Sequence, residues 1–338
     1  MAFLNTDIPE LSGFDTGLCL SNLDVLTQRQ NQQGESFLAV LSELADAILH
    51  DAGGDPDTVD SILLSLQDMP GAEGETSNLP AANPLTRVSP VNREPLIRLS
   101  AHAGLMARLL LYRMIGERTA SDDDDAKTAA SSPLPATVRG RIAYMPGALA
   151  DKAYLRLSPL VKAPRAAATA GFADACEEVQ GGLCEYCMLP LENTGSGRLT
   201  AFSSLILRYR LQIIAVSDLE SGGTRGQSTR IALLRTAVED GFPTPLYTPP
   251  TGERLCLELF HATDSLSLTD LLLAAEFCGM PPLRTDTLPP EEVEGAGGDG
   301  TPITAIVLDA SEGDLATFRR FLSLEAPEDF VAGLYGVL

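Results

Sequence analysis

Two short constellations in the sequence carry residue types able to do chemistry. Cys184-Glu185-Tyr186-Cys187 has the spacing of a metal or redox pair. A zinc site would need a second Cys or His pair at finger distance. None stands there, and the run leads into an apolar stretch. The pair is therefore expected to be core thiol, with no metal and no cofactor. The second constellation is Asn193-Thr194-Gly195-Ser196-Gly197, just ahead of a helical pattern. The first amides of a helix are unpaired and its dipole favours negative charge, so Gly195 and Ser196 offer a place for a carboxylate. Asn193 and Thr194 serve equally well as caps of that helix. Further on, Thr229 reads as readily as a β-branched strand residue as it does as a functional hydroxyl.

The bulk properties narrow the class of protein. A chain of 338 residues has room for two or three domains, and a hydrophobic fraction of 44% fills real cores. The net charge of −22 argues against nucleic acid and anionic membrane as partners, because both demand a Lys/Arg surface. No apolar run is long enough to cross a bilayer, and Met1 to Ile8 lack the basic and apolar regions of a secretory signal. The cysteines at 19, 176, 184, 187, 256 and 278 then read as reduced thiols, with a cytoplasmic location expected.

The elements that would position these residues follow from periodicity. Phe37, Leu41, Leu44 and Ile48 form a helical stripe ended by Gly53-Gly54. Asp55 and Pro56 open a second helix through Val59, Ile62 and Leu66. A third runs from about Glu94 to Arg118, between polar linkers. Residues 1–136 are thus a helical segment with disordered linkers. From Val138 strands and helices alternate: strands at 141–145, 186–191 and 211–216, and helices at 171–179 and 196–209. This predicts an α/β layer on a mostly parallel sheet over 137–245. Residues 252–338 read strand, helix, strand, strand, helix, strand. That order is ferredoxin-like, with the acidic Glu291 to Gly300 insert in its central hairpin.

Four pieces of this middle region, in order, resemble the prephenate and arogenate dehydratase family. Arg141 to Ala148 is similar to its opening strand and Pro-Gly turn. Leu189-Pro190-Leu191-Glu192-Asn193-Thr194 resembles the Pro-Ile-Glu-Asn-Ser signature, and Leu205 to Ile214 the helix and strand that follow. Ser228-Thr229-Arg230-Ile231 looks like the Thr-Arg-Phe motif, with Ile for Phe. The segment Gly279 to Pro289 resembles, without a gap, the phenylalanine-binding segment of the family's ACT domain. Asp286 and Thr287 keep the chemistry of its Glu and Ser, and Leu288 loses the Arg. The family's Gly-Ala-Leu corresponds only to Asp264-Ser265-Leu266.

The resemblance implies a decarboxylating dehydration of a cyclohexadiene. Thr229 would protonate the leaving hydroxyl with Arg230 beside it, and Asn193, Thr194, Gly195 and Ser196 would hold substrate. Ser265, Leu266, Asp286 and Thr287 would hold an aromatic amino acid or carboxylate regulator. It also implies a two-lobed, periplasmic-binding-protein-like catalytic domain, whose second lobe lies between the strand ending near Val216 and the Thr-Arg motif. Here only 217–228 stand in that interval, and a lobe needs roughly fifty residues. The expectation is a one-lobed α/β remnant followed by an α+β ACT-like domain, non-catalytic and used in binding, regulation or assembly. An active dehydratase of phenylalanine biosynthesis is the alternative. The apolar strands carrying Leu255, Leu257, Leu259, Ile303, Ala305 and Val307 suggest homo-oligomerisation through the ACT-like domain.

Overall fold

The computed structural model describes residues 38–39, 41–53, 55–67, 101–120, 137–220, 227–237, 242–250, 252–262, 266–288 and 302–338. The linkers expected at 70–92 and 121–133, the start of the third helix before 101, and Ser265 lie outside them.

The chain divides into two compact units, 1–100 and 101–338. The first contains helix α1, residues 41–52, and helix α2, Pro56–Gln67. Their periodic stripes form its core, with Leu41, Leu44, Ile48, Val59 and Leu63 buried. Asp55 caps α2 as expected, its carboxylate accepting the Thr58 amide at 3.1 Å.

The second unit opens with helix α3, Ala101–Ala120. The strands are β1 Arg141–Tyr144, β2 Arg165–Ala168, β3 Tyr186–Asn193, β4 Gly197–Arg198 and β5 Leu211–Glu220, then β6 Ser228–Thr236, β7 Leu255–Ala262, β8 Pro282–Leu288, β9 Ile303–Asp309 and β10 Phe330–Gly336. The helices between them are α4 Ala148–Leu157, α5 Phe172–Gln180, α6 Thr200–Arg208, α7 Leu268–Phe277 and α8 Leu315–Glu325. All these strands join one sheet, in the order β2-β1-β3-β6-β5-β10-β7-β9-β8, with β4 paired to β3.

The sheet is mixed rather than mostly parallel. Strands β2, β1 and β3 are parallel, but β6 is antiparallel to both β3 and β5. The reason is the connection: parallel neighbours need a crossover, whereas only 221–227 join β5 to β6, which makes them a hairpin. Helix α4 and strand β2 were not anticipated. Strand β2 is an Ala-rich edge with a weak strand signature, and α4 shows only the Ala153/Leu157 pair as buried anchors.

Pleat alternation sorts the side chains into two layers. Ile142, Met188, Ile214 and Leu233 face α4, with Ala153 and Leu157 packed on them. Ala143, Leu189, Ile213 and Leu234 face α5 and α6, joined by Cys256, Phe260, Ala305, Phe330 and Tyr335 from the C-terminal strands. The C-terminal part keeps the β-α-β-β-α-β order, with β10-β7-β9-β8 as its strand sequence. The six apolar residues expected to need a partner do not share a face. Leu257 and Leu259 register with Leu308 and Ile306, whereas Ala305 and Val307 register with Phe260 and Glu258 on the other side. Ala305 is covered within the chain, packed in the layer around α6, and Leu257 and Leu259 are fully buried.

Helix α3 belongs to this C-terminal part. Arg108 Nε lies 2.5 Å from the Glu325 carboxylate, which Tyr112 also contacts at 2.7 Å. Arg113 donates to the Phe277 carbonyl at 3.1 Å and stacks over its ring at 4.5 Å. It also pairs with Asp314, which caps α8.

The two halves of the sheet meet at β5 and β10, in parallel register at Gly333 and Ile213. Both strands carry an irregularity at that point. The buried Gln212 side chain donates to the Val331 carbonyl at 3.2 Å, and the Leu338 amide to Val216 at 2.8 Å. A Cβ on Gly333 would lie 2.6 Å from Ile213 Cβ and 2.7 Å from its carbonyl oxygen. Gly333→Ala is therefore expected to cost about 1–3 kcal/mol by overpacking. Gly116→Ala in α3 meets nothing within 4 Å. It should instead stabilise by about 0.4–1 kcal/mol. Urea unfolding of both variants checks the pair, and equal midpoints would remove the join from the account.

Candidate functional site

The motif residues gather where β3, β6 and β5 end together. Asn193 registers with Thr229, and Thr229 with Leu219; one step along, Glu192 registers with Arg230, and Arg230 with Asp218. Because successive strand residues point to opposite faces, these are two separate ladders. Asn193 and Thr229 lie on one face. Arg230 and Glu192 lie on the face that looks toward the C-terminal strands.

On the first face the Asn193 side-chain amide donates to Thr229 Oγ1 at 3.1 Å, and Thr229 is buried. Asn193 Oδ1 accepts the Gly195 amide at 2.8 Å. Thr194 Oγ1 accepts the Ser228 amide at 2.8 Å and lies 3.3 Å from the Ser228 carbonyl. Thr194, Gly195 and Ser196 are exposed. They do not open a helix. Asn193 and Gly197 close a β3–β4 hairpin, Gly197 takes a left-handed φ of 75°, and α6 begins only at Thr200 with Leu199 as its uncapped entry. The anion site expected at a helix N-terminus is thus absent here: the glycines and the Asn193 side chain make a tight turn instead. Asn193 and Thr194 cap that turn, not α6.

On the second face Arg230 lies 2.5 Å from Glu192 and 3.4 Å from Asp218. Burial opposes its charge, but Glu192 and then Asp218 more than offset that and raise its pKa. Glu192 is also paired with Arg284 of β8, which holds Asp286 at 2.6 Å. Since β8 ends the strand order opposite to β2, this contact requires the sheet to curl until its far edge faces β3 and β4. Deeper in the same concavity Arg198 of β4 is paired with Glu258 of β7, at side-chain exposures of 6% and 1%. Tyr335 donates to Glu258 at 2.8 Å, and Arg198 also holds Ser203 at 2.8 Å. Burial works against the Arg198 charge, and the Glu258 carboxylate outweighs it, so the pKa is raised. Burial and Glu258 push the Tyr335 phenol well up. None of these residues except Arg230 and Asp286 was singled out in the sequence; their signal is a pairing between strands far apart in the chain.

The residues expected to hold a regulator also separate. Asp286 registers with Ala305 on the concave face and is bound to Arg284, whereas Thr287 registers with Thr304 on the opposite side. Leu266 precedes Ser267, the cap of α7. Leu288, where the family has Arg, is fully buried in the apolar layer. Cys184 and Cys187 are buried, free thiols as expected. Cys184 bonds to the Glu178 carboxylate at 2.9 Å, and burial raises its pKa to about 12. Among the described residues no His/Cys/Asp/Glu group is arranged to hold a metal, and no helix is long and apolar enough to cross a membrane.

An open pocket of about 720 Å³ adjoins the Asn193–Thr229 face, lined by Lys152, Leu155 and Arg156 of α4, Asp218, Leu219 and Glu220 of β5, and Ser228.

No family model and no curated protein matches the sequence. Solved structures do resemble it. Prephenate dehydratase from Streptococcus mutans is 16% identical, with 58% of this chain and 98% of that one covered at a TM-score of 0.43. A quorum-quenching acylase is 18% identical, with 58% and 94% covered at 0.42. Prephenate dehydratase of Arthrobacter aurescens, in complex with L-Phe, is 12% identical, with 58% and 89% covered at 0.40.

The two charge clusters should differ sharply in weight. Glu258→Ala leaves Arg198 buried without its partner, at an expected cost of about 3–5 kcal/mol. Glu192→Gln, at a more accessible pair, should cost no more than about 1 kcal/mol. Denaturant titration of both variants decides, and a reversed order would contradict the assignment of the buried pair as the inner clasp.

Proposed function

We propose that this chain is a prephenate dehydratase-like protein whose dehydratase-type half is non-catalytic, and that it works in binding, regulation or assembly. Its C-terminal β-α-β-β-α-β part is read as an ACT-like module. The observation that carries this reading is the β5–β6 hairpin, paired from Leu211–Thr236 to Glu220–Ser228 and closed by 221–227. A cleft enzyme of this type holds its substrate between two lobes, and the hairpin leaves no chain between β5 and β6 for the second. Water exclusion and positioning supply much of the rate in such chemistry, and one wall supplies little of either. Two further observations support it. Arg230 is committed to Glu192 and Asp218 on the face away from Thr229, so Thr229 and Arg230 do not converge on one substrate. The Thr229 hydroxyl is engaged by Asn193.

An active prephenate or arogenate dehydratase is the second reading, favoured by the Asn193–Thr229 hydrogen bond beside an open pocket. An aromatic amino acid or carboxylate around Ser265, Leu266, Asp286 and Thr287, and self-association through the ACT-like module, where Leu283 of β8 is 38% exposed, belong to the regulatory reading.

The purified chain is expected to form no phenylpyruvate from prephenate and no phenylalanine from arogenate in a discontinuous product assay. Turnover abolished by Thr229→Ala in a folded variant would reinstate the enzyme.

A further inference from the structure

The pocket beside α4 holds charges of both signs, Lys152 and Glu220, that make no ion pair among the described residues. Lys152 and Arg156 stand four residues apart on α4 and so share one face of it. Lys152 makes no ion pair among the described residues and is exposed. Arg156 donates one hydrogen bond, to the Asp218 carbonyl at 2.8 Å, and keeps its remaining donors. Across the pocket Glu220 is exposed and likewise has no ion-pair partner, whereas Asp218 is turned to Arg230. Between these walls lie two leucines. Leu155 is 72% exposed, an apolar side chain on a charged helix face. Leu219 belongs to the α4-side core. The volume, about 720 Å³, falls among small-molecule sites, roughly 300–1,000 Å³.

The charges select the ligand. A dianion would meet Glu220, and a simple amine would meet Lys152 and Arg156. A molecule carrying both charges on one carbon, with an apolar substituent, satisfies both walls and covers Leu155. We propose that the pocket between α4 and the β5–β6 hairpin binds a zwitterionic α-amino acid with an apolar side chain. Its carboxylate lies toward Lys152 and Arg156, its ammonium toward Glu220, and its side chain on Leu155. Thr229 does not line the pocket, so the binding needs no chemistry. The inference deepens the binding-module reading and rests on it.

Isothermal titration calorimetry of the full chain with L-leucine, 4-methylpentanoate and 3-methylbutylamine separates the two charges. L-Leucine is expected to bind saturably, and each single-charge analogue at least about tenfold more weakly, a difference of about 1.4 kcal/mol. Lys152→Met should erase the advantage over the amine, and Glu220→Gln the advantage over the acid. Both positions are exposed, and circular dichroism confirms folding of each variant. Absence of saturable binding of L-leucine up to about 10 mM overturns the proposal, as does leucine binding that both variants retain. Neither result bears on the dehydration assay, so this inference and the non-catalytic reading fail separately.

Discussion

The sheet join at Gly333 of β10 and Ile213 of β5, too tight for a Cβ on the glycine, is the constraint on which the rest of the second unit depends. It makes the last strand of a β-α-β-β-α-β module into the neighbour of an α/β layer, so that two patterns separable in sequence become one sheet. Once joined there, the sheet can curl around α6, and strands at opposite ends of the order come within ion-pair reach. A single missing Cβ sets the spacing. The buried Gln212 side chain donates to the Val331 carbonyl beside the irregular register.

The curl explains why charge is found inside. Arg198 and Glu258 are buried because β4 and β7 meet across the concavity, and neither would be tolerated there without the other. Nearer the solvent the Asp218–Arg230–Glu192–Arg284–Asp286 series continues the same contact. A motif arginine thus acts as part of the clasp between the two halves. The pairing of Arg230 follows from the pleat, which places it on the Glu192 face of the sheet rather than on that of Thr229.

The opposite face is quieter and more open. Asn193, Thr229 and the hairpin turn at 194–197 satisfy one another, and the free charges stand a few residues away on α4 and at the tip of β5. The division of labour is between faces of one sheet, with clasp residues toward the C-terminal module and accessible polar groups toward α4.

The sequence by itself determined the local elements: α2 behind its Asp55 cap, the alternating strands from Arg141 onward, and the order of the C-terminal module. Each rests on near-neighbour physics, namely apolar periodicity, capping and turn residues. It also marked the short interval at 217–228 and the dehydratase-like motifs. Tertiary structure decided where the motif residues point and what they pair with. Sequence adjacency placed Thr229 beside Arg230, and Asp286 beside Thr287, but a strand sends such neighbours to opposite faces. The glycine-rich turn read as a helix opening because its residues suit both; pairing of Gly197 with Asn193 selected the hairpin. Long-range partners such as Arg284 with Glu192, and Glu258 with Arg198, exist only after the sheet has joined and curled, and no local pattern records them.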